Sequence, residues 1–229
     1  MNATLDLPVL PPSLYRYRKL TTDDDLENEV TAIKENYLWC SSYRLMNDPM
    51  EGLYKSSARL LGSQEYEKTV DHILNSKTQI GICCFTETSE SELMWAHYAS
   101  NYRGICVEYS VEPLIEGLPA PVHLVRLGYG DAPPRIGIQE VVDIKAAARR
   151  ILSQKKNNWA YEREWRILGL LGKVPYSKKE TVSKIYLGAN ILPSHKQRIV
   201  TEFASTTAIS EMKVTGYEHD WRPLVPPTF

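Results

Sequence analysis

The chain has 229 residues, 43% of them hydrophobic and 24% charged, an ordinary globular composition; one elaborated α+β domain over residues 1–229 is the expectation. Its 27 Lys and Arg nearly balance 28 Asp and Glu, and a net charge of −1 supplies no electrostatic footprint for nucleic acid; no local basic stripe stands out. Nowhere do about 18 consecutive apolar residues occur, and the start lacks a basic region followed by an apolar one, so the expectation is a cytoplasmic chain with no membrane partner.

Taken in order, the lead-in through Pro8, Pro11 and Pro12 reads as extended. SLYRYRKL then alternates as a short strand does, with Tyr15 and Tyr17 on one face and Arg16 and Arg18 on the other. DDDLENEVTAIKEN predicts a helix, because aspartates crowd its first turn and Leu26, Val30 and Ile33 fall on one side. YLWCSSYRL is the next strand, closed by a turn at Asn47, Asp48 and Pro49, and residues 49–76 read as helical. QIGICCFTE predicts a strand, with Cys83 and Cys84 as small buried thiols, and SELMWAHYAS a helix. RGICVEYS is a further strand, which Pro113 breaks.

Residues 112–140 are rich in Pro and Gly and read as an exposed excursion or a subdomain boundary, with a strand at PVHLVRLGYG inside it. IQEVVDIKAAARRILSQKK predicts one long helix whose apolar face runs through Val141, Ile144, Ala148, Ile151 and Leu152, stopped by Asn157 and Asn158. YEREWRILGLL and VSKIYLGANI read as strands, SHKQRIVTEFAS as a helix and AISEMKVTGYE as the last strand. Together these elements predict a twisted mixed or antiparallel sheet, whole or split, flanked by helices. Cys40, Cys83, Cys84 and Cys106 form no C-x-x-C pattern and the five histidines are scattered, so no metal centre is expected.

The stretch WAYEREWRIL, Trp159 to Leu168, sets two glutamates and two arginines among aromatic residues. As a strand it places Glu162, Glu164 and Arg166 on one face and Tyr161, Arg163 and Trp165 on the other; same-face neighbours lie roughly 6.5–7 Å apart, near enough for both carboxylates to address one ligand. The plainer alternative is that Glu164 pairs with Arg166 on a solvated edge. NDPMEG has two readings as well. Asn47 and Asp48 cap a turn while Pro49 starts a helix with Glu51 in its first turn, or Asn47, Asp48 and Glu51 gather round a cleft. In ELMWAHYASNYRG, the helical spacing of Met94, Trp95 and Tyr98 is that of core residues. His97 reads as a structural histidine or a substrate contact, and Arg103 beside Gly104 as an anion site or a solvated arginine.

Set in order from Leu14 to Leu192, LYRYR, NDPMEG, CFTE, MWAHYASNYRGICVEY, KKNNWAYEREWRI and IYLGANI resemble the bacterial family known as domain of unknown function 2971. More distantly, an arginine on a first strand, a hydroxyl residue on a second and a later Glu-x-Glu resemble the Arg–Ser–Glu pattern of NAD-dependent ADP-ribosyltransferases. That resemblance implies an ADP-ribosyltransferase-like fold and NAD as substrate. Arg16 or Arg18 would hold the dinucleotide phosphates, and Ser41, Ser42 or Thr86 would prop the cleft. Glu164 would hydrogen-bond the nicotinamide ribose, and Glu162 would position or deprotonate the acceptor. Tyr43, Trp95 or Tyr98 would wall the nicotinamide ring, and a carboxylate beside the ribose suits the charge that develops as nicotinamide leaves. The implied activity is cleavage of NAD at its glycosidic bond, with ADP-ribose passed to a protein or nucleic-acid acceptor or to water. The implied setting is a bacterial phage-defence or toxin system with a partner protein. Two other readings stand beside it. One is a non-enzymatic interaction domain, with Glu162, Glu164 and Arg166 as a structural ion-pair row beneath the NDPMEG turn. The other is a metal-dependent nuclease or phosphohydrolase using Glu51, Glu162, Glu164 and His97.

Overall fold

Leu14 and Tyr17 are buried along the strand Ser13–Arg18 in a computed structural model of the chain, which describes residues 10–225; Pro8 of the extended lead-in lies outside the described residues. Two units emerge, each built on its own five-stranded sheet. The architecture is mixed α and β, as the run of elements predicts, and among the described residues no helix is long and apolar enough to cross a membrane.

The first unit comprises residues 10–20, 87–116 and 178–225. Its sheet runs Ser13–Arg18, Ile105–Ser110, Val182–Leu187, Ala208–Thr215, Glu218–Val225. Every neighbouring pair is antiparallel except Val182–Leu187 with Ala208–Thr215. Parallel neighbours need a crossover, and the helix Pro193–Phe203 supplies it, with Pro193 in its first turn and Ile199 and Phe203 buried. Ile105, Val107, Ile185, Leu187 and Ile209 are register partners or alternate along their strands, so they share one face and bury it almost completely. The helix Glu92–Tyr98 begins where the Ser91 hydroxyl accepts the Met94 N–H. Its Trp95 is wholly buried, donates Nε1–H to Ser89 O at 2.8 Å, meets Tyr17 edge to face at 5.1 Å and stacks on Tyr102 at 6.0 Å.

Two expectations in this unit need correction. The strand ends at Ser110, before Pro113, and residues Val111–Gly117 form a helix, since proline in a first turn withholds an N–H that has no helical partner anyway. The last strand is Glu218–Val225, not Ala208–Thr215; Gly216, at φ +67, permits a two-residue turn, and the chain returns as a hairpin.

The second unit holds residues 21–86 and 117–177. Its sheet runs Gly172–Pro175, Tyr37–Ser42, Gly81–Phe85, Trp165–Gly169, His123–Arg126, antiparallel throughout. The helix Asp23–Lys34 forms as expected: Thr22 caps it by accepting the Asp25 N–H, and Leu26, Val30 and Ile33 are buried. Residues 49–76 are not one helix. Gly52 at φ +76 turns the chain, Lys55–Ser56 pairs with Arg135–Ile136, a Ser57-capped helix spans only Ala58–Leu61, and the long helix is Tyr66–Gln79. The long helix expected over residues 138–156 is also shorter. Asp143 accepts the Ala146 N–H and starts an α-helix at Ile144 that ends at Ile151, and Gln154–Lys155 continues as a strand beside Gly128–Tyr129. Leu60, Ile73, Ile136 and Ile151 pack together beneath these pieces.

Glycine is sterically required at one crossing in the first unit. A Cβ on Gly104 would lie 1.9 Å from the carbonyl oxygen of Arg18, backbone that cannot yield without shifting a strand. Gly104→Ala is expected to lower the urea midpoint by the equivalent of roughly 1–3 kcal/mol, the cost typical of overpacking; an unchanged midpoint would contradict the close approach.

Candidate functional site

Arg166 sits on the strand Trp165–Gly169, flanked by Cys84 on one neighbour and Val125 on the other, and is 0% exposed. A guanidinium removed from water in the interior of a sheet is costly unless each N–H finds an acceptor. All five do. Nε donates to Glu164 Oε1 at 2.6 Å. Nη1 donates to Glu51 Oε1 at 2.7 Å and to Leu152 O at 2.8 Å, and Nη2 to Glu51 Oε2 at 2.8 Å and Glu164 Oε2 at 3.2 Å. Glu51 is thus held in the two-pronged geometry that arginine and carboxylate favour.

The second cation is Lys155. Its Nζ donates to Glu162 Oε2 at 2.6 Å and Glu164 Oε2 at 3.1 Å and lies 4.7 Å from the centre of the Trp159 ring. Glu162 and Glu164 converge as anticipated, but through a different backbone. Asn157–Glu162 is a 3₁₀ turn and Arg163 is left-handed at φ +44, so the strand begins only at Trp165 and the two glutamates are not alternate residues of one strand. The solvated-edge alternative is likewise corrected: Glu164 does pair with Arg166, but Glu162 and Glu164 are each only 3% exposed. Around the pair, the Tyr129 hydroxyl accepts the Glu164 N–H at 2.8 Å.

Glu51 reaches Arg166 from the NDPMEG loop. Asp48 Oδ1 accepts the Met50 N–H at 2.9 Å, the turn-and-cap geometry expected, but no helix starts at Pro49. Lys77, buried on the helix Tyr66–Gln79, donates to Gly52 O at 2.8 Å with its ammonium 5.1 and 5.4 Å from the rings of Tyr43 and Tyr54. Two buried cations therefore pin one loop. The electrostatics follow. Burial alone would push the Glu164 carboxyl up, but Arg166 and then Lys155 outweigh it and hold the group at about 2. Burial works against the charge on Lys155 as well, and Glu164 and Glu162 reverse it, raising the amine above its ordinary value. The Cys84 thiol is pushed well up by burial and by Glu164, so it stays protonated.

Four of the expected site residues, Glu51, Glu162, Glu164 and Arg166, meet in this network. Asp48 lies buried in the same loop and Asn47 beside it is exposed; Ser41, opposite Ile82, and Tyr43 belong to the same unit. Thr86 is 1% exposed and its hydroxyl has no hydrogen-bond partner among the described residues. Arg16 and Arg18 lie on the strand Ser13–Arg18 of the first unit, together with buried Trp95, exposed His97 and half-buried Tyr98 on the helix Glu92–Tyr98. Sequence reasoning missed Lys155 and Lys77. Lys155 read as a helix tail, and no local signal marked it, because its role follows from the burial of Glu162 and Glu164, which only the fold sets. Among the described residues, no group of three or more His, Cys, Asp and Glu is placed to hold a metal ion.

Residues 94–167 match the model of a family described as Protein of unknown function (DUF2971), a shorter stretch than the span from Leu14 to Leu192 over which the motifs resemble it. The matched stretch contains Lys155, Glu162, Glu164 and Arg166. No curated protein and no solved structure matches the chain.

Removing one partner strands the others. Arg166→Met leaves Glu51 and Glu164 buried without their arginine and is expected to cost roughly 3–5 kcal/mol in urea unfolding; a change below about 1 kcal/mol would mean that the row bears little of the fold. Acid titration checks the same network. A carboxyl whose native value is depressed from 4.5 to about 2 contributes stability that is fully present above its unfolded value and is lost as pH falls through the folded one. Glu164→Gln should therefore flatten the loss of stability between pH 4.5 and 2, measured by urea midpoints across that window.

Proposed function

We propose that the chain is a non-enzymatic interaction domain in which Glu51, Arg166, Glu164, Lys155 and Glu162 form a buried structural row. The observation that carries this reading is the mutual saturation of Arg166 and Glu164. The guanidinium uses all five donors, and both oxygens of Glu164 accept from cations while the residue is 3% exposed. A catalytic carboxylate has to place a free lone pair within hydrogen-bond reach of substrate. A carboxylate clamped between two buried cations serves packing and charge balance instead. A metal-dependent nuclease would need these same carboxylates as ligands, and Arg166 and Lys155 already occupy them.

One observation favours NAD-dependent ADP-ribosyl transfer as a second reading. Thr86 follows directly on the strand Gly81–Phe85, whose last residue pairs with Trp165, and the buried Thr86 hydroxyl has no hydrogen-bond partner among the described residues. The resemblance to ADP-ribosyltransferases implies a hydroxyl residue that props the cleft, and Thr86 is one of the three residues it offers for that role. In that reading NAD is the substrate, the acceptor is a protein or nucleic acid, and the setting is a bacterial defence or toxin system.

The two separate on one assay. Purified protein is mixed with NAD, with and without a cell extract to supply acceptors, and nicotinamide release is followed beside the melting temperature. The interaction domain is expected to release none, to gain no stability from NAD, and to lose roughly 6–12 °C in the Glu164→Gln variant, taking ~3 kcal/mol at about 2–4 °C per kcal/mol. Release by the wild type that Glu164→Gln abolishes, with its melting temperature within about a degree of the parent, would overturn the structural row and establish the transferase.

A further inference from the structure

The first unit carries a groove of about 710 Å³ between the region of Glu92 and Tyr102 and the end of the hairpin formed by Ala208–Thr215 and Glu218–Val225. That volume is in the range of sites that take a small ligand or a few residues of peptide. The hairpin stays paired to its last rung, Thr215 opposite Glu218; the turn beyond it presents Tyr217 at 104% exposure, and Val214, on the strand just before it, is 58% exposed. Tyr217 gains no burial in the fold from that position. On the other wall the Tyr102 ring is stacked on Trp95 at an interplanar angle of 11°, so its orientation is set by the core.

The charges lining the groove divide into used and unused. Glu211 is taken by Lys196 at 2.6 Å, and His219 meets Glu90 at 3.0 Å. Among the described residues, Glu92 and Glu218 form no ion pair, and Lys213 is the one lining cation without one. The unpaired carboxylates thus outnumber the unpaired cation, and they stand beside a tyrosine held in place and another wholly open to solvent. Carboxylates with aromatic rings suit a guanidinium or an ammonium: the head pairs with the carboxylates while the ring face attracts the charge and packs the aliphatic stem.

We propose that this groove docks an extended segment of a partner protein through an arginine or lysine side chain. The proposal rests on the interaction-domain reading and gives that domain its partner chemistry. A phage-displayed library of random nonapeptides is selected on the immobilised full chain, and the enriched peptide is synthesised for titration. The expected result is enrichment of arginine or lysine next to an apolar residue. Affinity should fall at least tenfold in Glu92→Gln/Glu218→Gln and in Tyr217→Ala, and should weaken as salt rises, with melting temperatures unchanged. No enrichment, enrichment of neutral or acidic peptides, or equal affinity for the double variant would overturn it. So would a dimer in solution that Tyr217→Ala abolishes, which would assign the groove to a second copy of the chain. Failure of the groove with no NAD turnover leaves the interaction-domain reading standing; NAD turnover removes that reading itself.

Discussion

A guanidinium cannot be left without water and without acceptors, and Arg166 has been taken out of water completely. The local architecture of the second unit answers that requirement. One acceptor comes from the NDPMEG loop through Glu51, one from the residue just after the helix Ile144–Ile151 through Leu152 O, and one from the start of Arg166's own strand through Glu164. Segments far apart in the chain are thereby tied to one side chain. Glu164 in turn needs more charge compensation than Arg166 supplies, and Lys155 provides it while holding Glu162. Replacing such a network with apolar residues need not weaken a fold, but deleting one member strands the others, which is why single substitutions are informative here.

The same loop shows how buried cations specify backbone as well as charge. Gly52 adopts a positive φ and offers its carbonyl to Lys77, and a Cβ at that position would approach the Tyr43 ring to 3.0 Å. Loop geometry, aromatic packing and ammonium placement thus depend on one another. The first unit is organised by different means. Its crossover helix buries Ile199 and Phe203, and Trp95 gathers Tyr17, Tyr102 and Trp221 around it. At its surface the carboxylates of Glu92 and Glu218 are exposed.

Elements governed by neighbours in sequence were legible beforehand. The helix Asp23–Lys34 has its cap, its acidic first turn and its apolar spacing all within a dozen residues, and the alternation of tyrosine and arginine in SLYRYR marks the strand Ser13–Arg18, although its buried residues, Leu14 and Tyr17, are three apart. Where turns intervened, periodicity misled. The apolar spacing of residues 138–156 is compatible with one helix, yet Asp143 prefers to cap and the chain finds a strand partner at Gly128–Tyr129. Residues 49–76 failed for a similar reason, because Gly52 and Ser57 act as turn and cap only once Lys77 and Arg135–Ile136 are there to receive them.

The candidate site divides along the same line. Residue types alone singled out Glu162, Glu164 and Arg166 as a row, with Glu51 grouped with the glutamates only in alternative readings, since clustered charges among aromatic residues must be solvated, paired or used. Whether they faced water, a ligand or one another was decided by the tertiary structure, because burial and the arrival of Lys155 and Glu51 depend on contacts between segments remote in the chain. The left-handed residue at Arg163, which local alternation did not foretell, turns both glutamates onto one internal ammonium. A sequence states which charges a chain must accommodate; only the folded backbone states which of them meet, because electrostatic energy depends on distance and desolvation, and neither is local in sequence.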